Sequence, residues 1–272
     1  MTKLVFSEFL GGRVLKVDDL AEGSLEQVGD GALVGPSGPA IHSDGDVLVA
    51  ELGGHRVALA EPGGGWQRFG TQGAGEGEFD RPTAAAFLGD GLLVLDGGNG
   101  RLVLMDNIAG NGWTTFGHLG RPTATDPAVG AYADPRGLAV DFRGRIWVSD
   151  PGAGRVTRVD DIDGNGWMQF AAGMRPYGIA SFGGGVAVVD AATRRVHLLD
   201  ADGAPGLILE LTDGAWASPA FVAGAGAGLV VADVVANVLR LLARDGTVEG
   251  ELRGSPPWLV QPLFDSLGGV AS

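Results

Sequence analysis

Short apolar runs, each closed by an acid and followed by a Gly-containing gap, recur along the whole chain. VLVAE, LLVLD, IWVSD, VAVVD and LVVAD end at Glu51, Asp96, Asp150, Asp190 and Asp233. Runs this short, bounded by Gly, Asp or Pro, predict many β-strands and no long helix. Each run is preceded by a Pro-led apolar stretch, beginning at Pro36, Pro82, Pro135, Pro176 and Pro219. A sixth copy is split. Its Pro262 segment, QPLFDSLGG, lies near the C-terminus, and its LVFSE run ends at Glu8. Successive prolines stand 46, 53, 41, 43 and 43 residues apart. A period of about 40–50 residues is that of propeller blades, small sheets that cannot bury their faces alone. The split copy predicts that Pro262 to Gly269 pairs with strands from the N-terminal residues, completing a blade with no lone edge.

One copy shows the predicted blade. Pro135 to Val140 is the inner strand, Ile146 to Ser149 the second, Arg155 to Val159 the third and Trp167 to Phe170 the outer one. Trp66, Trp113 and Trp167 fall at one equivalent position, where burial of a large ring offsets ordering entropy. Phe79, Tyr132 and Trp216 each lie three residues before their proline and read as plugs between blades.

The stretch FGTQGAGEGEFDRPTAAAF followed by LLVLDGGNGRLVLMD resembles the NHL repeat: Gly-rich loop, aromatic, Pro, strand, Asp, small loop, Arg. The resemblance extends over nearly the whole chain and is clearest in blades two and three. It implies an all-β, six-bladed β-propeller with four-stranded blades, one domain spanning 1–272. Such propellers serve as binding platforms, RNA binders, lyases and hydrolase relatives, so the resemblance leaves activity open.

Composition narrows the classes. The chain has 272 residues, a formal net charge of −14 and no cysteine. That charge, with no Lys/Arg run, disfavours nucleic acid. No apolar stretch approaches the roughly 18 residues of a membrane span. MTKLVFSEF lacks a secretory core, so a cytoplasmic monomer is expected.

Each second strand ends in an acid, and five positions later stand Arg13, Arg56, Arg101, Arg155 and Arg195, with Val238 in blade five. A carboxylate ring for a hard cation is one reading. A repeated ion pair or backbone cap is the favoured one, since a repeated feature solves a repeated structural problem. In the DIDGNG turn, Asp161, Asp163 and Asn165 match calcium-loop positions, but Ala172 stands where an acid is required. His42, His55, His118 and His197 fall at dissimilar repeat positions and do not form a three-histidine site. No metal and no cofactor are expected.

Loops leading into the prolines open on one face of the ring, where a channel mouth offers a ligand site. The loop Gly117 to Asp134 is the longest and is expected to flap over it. Asp80-Arg81-Pro82, Asp134-Pro135-Arg136 and Arg175-Pro176-Tyr177 concentrate three arginines on neighbouring blades. Arginine forks suit carboxylates and phosphates; the alternative is that Asp80 and Asp134 pair with them and lock the blades. The expected ligand site is Arg81, Asp134, Arg136, Arg175 and Tyr177, with Trp258 as an apolar wall. The leading function is recognition of a small molecule or peptide with an anionic group. The first rival is a lyase, hydrolase or cyclase using His118 or Tyr177 for proton transfer and Arg136 or Arg175 as charge stabiliser. The second is a protein-interaction scaffold.

Overall fold

The computed structural model describes residues 4–17, 25–121, 128–170, 173–211 and 216–253, with the backbone strand at 267–271. All regular structure among them is strand. Six four-stranded antiparallel sheets form the blades of a β-propeller. Blade one consists of Pro36–Ile41, Val47–Glu51, Arg56–Ala60 and Gln67–Phe69, in that order from the inside out. Blades two to five repeat this order, with inner strands Ala84–Leu88, Gly137–Val140, Pro176–Phe182 and Pro219–Ala225.

Blade six closes the ring. Leu267–Ala271 pairs antiparallel with Leu4–Glu8, which continues through Arg13–Val17 to Glu26–Val28. The split blade is therefore present over Leu267–Ala271; residues 262–266 of the expected inner strand lie outside the described residues. Its register follows the other blades. In blades one, four and five the strand-ending acid faces the first residue of the inner strand: Glu51 faces Pro36, Asp190 Pro176 and Asp233 Pro219. Glu8 faces Leu267 in the same way.

Blade stacking explains why the second strands read as unbroken apolar runs. Among the described residues, hydrophobic clusters fill all six blade–blade interfaces. In Gly91–Asp96, Leu92 and Val94 pack towards blade one while Leu93 and Leu95 pack towards blade three. In Gly185–Asp190, Val186 and Val188 face blade three and Ala187 and Val189 face blade five. A strand buried on both faces has no polar side to alternate with. The plugs join these clusters: Phe79, Tyr132 and Trp216 are buried. Trp113 packs 5.3 Å from Phe79, and Trp167 packs 5.8 Å from Tyr132.

Two features go beyond the sequence reading. Thr71–Gln72 pairs in parallel with Glu78–Phe79, and His118–Leu119 with Ala131–Tyr132, so the loops into blades two and three double back on themselves. Hydroxyls also stitch neighbouring blades together. Ser37 donates to the Thr83 carbonyl at 2.8 Å, Thr83 to the Pro135 carbonyl at 3.2 Å, and Ser149 to the Tyr177 carbonyl.

Candidate functional site

The acids that end the second strands are buried brackets for the loops entering the inner strands. Asp150 accepts from the N–H groups of Ala133 and Asp134, both at 2.9 Å, and from Ala153 at 3.2 Å. Asp233 accepts from Ala217, Ser218, Val235 and Ala236. Glu51 accepts from Val34 at 2.7 Å, and Asp96 from Asp80 at 2.7 Å. In blades two to five these acids therefore join two loops on one face. They differ in electrostatics. Burial pushes the Asp96 carboxyl up despite bonds from Asn99 and Arg101. Burial acts on Asp190 as well, but bonds from Thr193 and from the N–H groups of Arg175 and Ala192 outweigh it and hold that carboxyl down.

The repeated arginines follow the expected pairing in part. Arg13 pairs with Glu8, Arg56 with Glu51 at 2.7 Å and Arg101 with Asp96 at 2.9 Å. Arg101 also donates to the carbonyls of Ala74, Gly75 and Glu78, and Arg155 to that of Ala131, which ties down the preceding loops. The guanidinium of Arg101 lies 5.7 Å over Trp113 and that of Arg155 5.8 Å over Trp167, in cation–π geometry. Arg195 departs from the pattern and pairs with Glu210 at 2.8 Å. Asp233, opposite Val238, is served by its four backbone donors.

The DIDGNG turn uses its own carboxylate. Asp161 accepts from the N–H groups of Asp163 and Asn165 and from the Asn165 side chain at 2.8 Å, and these bonds keep it below the usual carboxylate range. Asp200 closes the equivalent turn of blade four in the same way. Histidines stay apart. His42 pairs with Asp44 and His55 with Asp80, while His197 is half-buried in a third strand. No cluster of three or more His, Cys, Asp or Glu suited to a metal occurs among the described residues.

A cavity of 560 Å³ opens at the inner-strand entrance. The residue after each of the five described repeat prolines lines it: Ser37, Thr83, Arg136, Tyr177 and Ala220. Ser37 and Thr83 spend their hydroxyls sideways on the next blade. Arg136 and Tyr177 are too long for that role and border the open space. Tyr177 is held edge-on against Phe221 at 5.8 Å. Arg175, just before its proline, is fixed by its N–H to Asp190 and also lines the cavity. Arg136 donates to Asp134 at 2.8 Å, and its Nε is buried without a hydrogen-bond partner among the described residues. No described residue accepts from the Arg175 guanidinium.

Other expected residues stand elsewhere. Arg81 is outside the lining. Its backbone is left-handed at φ 48°, its N–H donates to His55, and its side chain, 61% exposed, leans on Asp80 at 3.4 Å. Asp134 reaches the site only through Arg136. His118 is exposed in its short parallel strand, away from the cavity. Nor does any described residue of the Gly117–Asp134 loop line it; residues 122–127 and Trp258 lie outside the described residues. Reading the prolines alone missed Phe9, Leu52, Ala191 and Val234, which also line the cavity. All four directly follow a strand-ending acid, and that repeat position was the signal for them.

A scan against family models finds no match. A search of curated proteins finds none either. Among solved structures, a chain of the nidogen/laminin complex superposes with a TM-score of 0.75 at 18% identity, covering 100% of this chain and 98% of that one. A catalytically inactive virginiamycin B lyase from Staphylococcus aureus with quinupristin reaches 0.66 at 14% identity, covering 92% and 80%. A streptogramin B lyase reaches 0.61 at 15%, covering 94% and 74%. At these identities the likeness is one of fold: the chain is a six-bladed β-propeller. Among the described residues no helix is long and apolar enough to cross a membrane.

Proposed function

We propose that the protein, with 1–272 acting as one domain of NHL-type repeats, recognises a small molecule carrying an anionic group at the channel mouth. The observation that carries this reading is the charge of the lining. In a chain of net charge −14, the charged side chains lining the 560 Å³ cavity among the described residues are Arg136 and Arg175. Two guanidiniums on adjacent blades, one without a described acceptor, form a fork for a carboxylate or phosphate. The volume falls in the range of small-molecule sites.

The test is calorimetric titration of a panel of small carboxylates and phosphate esters, with melting temperatures measured in parallel. A charge-assisted bond contributes about 1.5–3 kcal/mol, so Arg136→Ala or Arg175→Ala should weaken binding roughly ten- to a hundredfold. Arg81→Ala should leave it unchanged. The reading fails if the two mouth variants lose only stability, or if Arg81→Ala weakens binding as much as they do.

Turnover at the same mouth is the second reading, favoured by Tyr177 lining one cavity with both arginines. Tyr177 would then transfer the proton, with Arg136 or Arg175 stabilising charge. Consumption of a bound ligand by the parent and not by Tyr177→Phe would support it.

A further inference from the structure

A second repeat position divides the mouth chemically. In blades one, four and five the residue after the strand-ending acid is pinned to the inner-strand entrance by its own backbone. The N–H of Leu52 donates to the Gly35 carbonyl at 3.0 Å, that of Ala191 to Arg175 at 3.1 Å and that of Val234 to Ser218 at 3.1 Å. These carbonyls belong to the residues just before the prolines, so the side chains stand at the cavity edge. The position holds Val234, Phe9 and Leu52 in blades five, six and one, but Gly97, Pro151 and Ala191 in blades two, three and four. The bulky apolar side chains thus lie across the ring from Arg136 and Arg175.

Packing does not account for them fully. Val234 rests on the cluster between blades five and six, and the Phe9 ring covers Gly35, yet Phe9, Leu52 and Val234 all stay partly exposed to the cavity. Their neighbours Leu10 and Val235 are 76% and 71% exposed and carry the apolar surface outwards.

We propose that the mouth binds an amphipathic monoanion: a carboxylate head held by Arg136 and Arg175, joined to a compact aliphatic or aryl body lying on Phe9, Leu52 and Val234. This rests on the anion-binding reading above and names its ligand class. A polyanion would find no cation on the far side among the described lining residues, and would meet the field of a strongly acidic protein. An uncharged apolar ligand would leave the buried Nε of Arg136 unpaired.

The experiment titrates linear alkanoates from propanoate to octanoate, and 3-phenylpropanoate against its amide. They are added to the parent, to Arg136→Ala, and to Leu52→Asn and Val234→Asn, with melting temperatures recorded. Affinity should rise about fourfold per added methylene until the body spans the apolar side. The amide should bind at least about tenfold more weakly than the acid. Leu52→Asn and Val234→Asn should flatten the chain-length dependence. If those variants fail to fold, the series on the parent decides alone. Acids that bind through Arg136 with no dependence on chain length would overturn the amphipathic site while the anion site stands. Failure of every acid to bind would overturn both.

Discussion

Asp150→Ala is the sharpest test of how the repeat holds the mouth open. The buried carboxylate accepts from Ala133 and Asp134 at 2.9 Å and from Ala153 at 3.2 Å. When it is removed, the exposed Asp134 can turn its N–H to water. The buried Ala153 N–H keeps its second acceptor, the Asp150 carbonyl at 3.2 Å, but the half-buried Ala133 cannot turn to water freely. A shielded donor without a partner costs about 1–3 kcal/mol, so the loss is about 1–3 kcal/mol. Unfolding entropy of about 2.1 cal/mol/K per residue makes about 0.6 kcal/mol/K for this chain, and the melting temperature should fall by about 2–5 °C. Asp150→Asn keeps one acceptor oxygen and should fall between. The assay is differential scanning calorimetry at neutral pH, with Arg81→Ala as the surface control, expected within about 1 °C of the parent. A melting temperature for Asp150→Ala as close to the parent as that control would refute the bracket.

Gly164 and Gly183 both have positive φ, at 81° and 61°, but a Cβ on Gly164 would land on the Phe116 ring while one on Gly183 meets nothing within 4 Å. Gly183→Ala should cost about 1–2 kcal/mol and Gly164→Ala about 1–3 kcal/mol more, read by urea denaturation; equal losses would contradict the packing of Phe116 against Trp167. His197 is lowered from its ordinary value of 6.5, chiefly by burial, and its Nε2 has no partner among the described residues. A base depressed by folding contributes stability above its unfolded value, and that stability is lost as pH falls through the lower folded value. The parent should therefore melt lower at pH 5 than at pH 7.5, and His197→Gln should narrow that gap; an unchanged gap would remove His197 from the acid response.

The number of blades, their strand order, the interface plugs and the split blade were legible in the chain, because each blade solves the same local problem with the same residues. Pro, apolar run, acid and Gly-rich turn act through short-range geometry and burial, which sequence spacing reports directly. The buried acids were visible for the same reason, and so was Arg136, which follows its proline as Ser37 and Thr83 follow theirs. The destinations of the long side chains were not visible. Arg81 and Arg175 both precede a proline, yet Arg175 lines the cavity, whereas Arg81, on a left-handed backbone, leans on Asp80. Arg195 occupies the position of Arg101 but finds Glu210, a partner supplied by the neighbouring outer strand. Spacing along the chain fixes where each side chain begins. Where a flexible one ends depends on which groups the closed ring brings within its reach, and that only the tertiary structure decided.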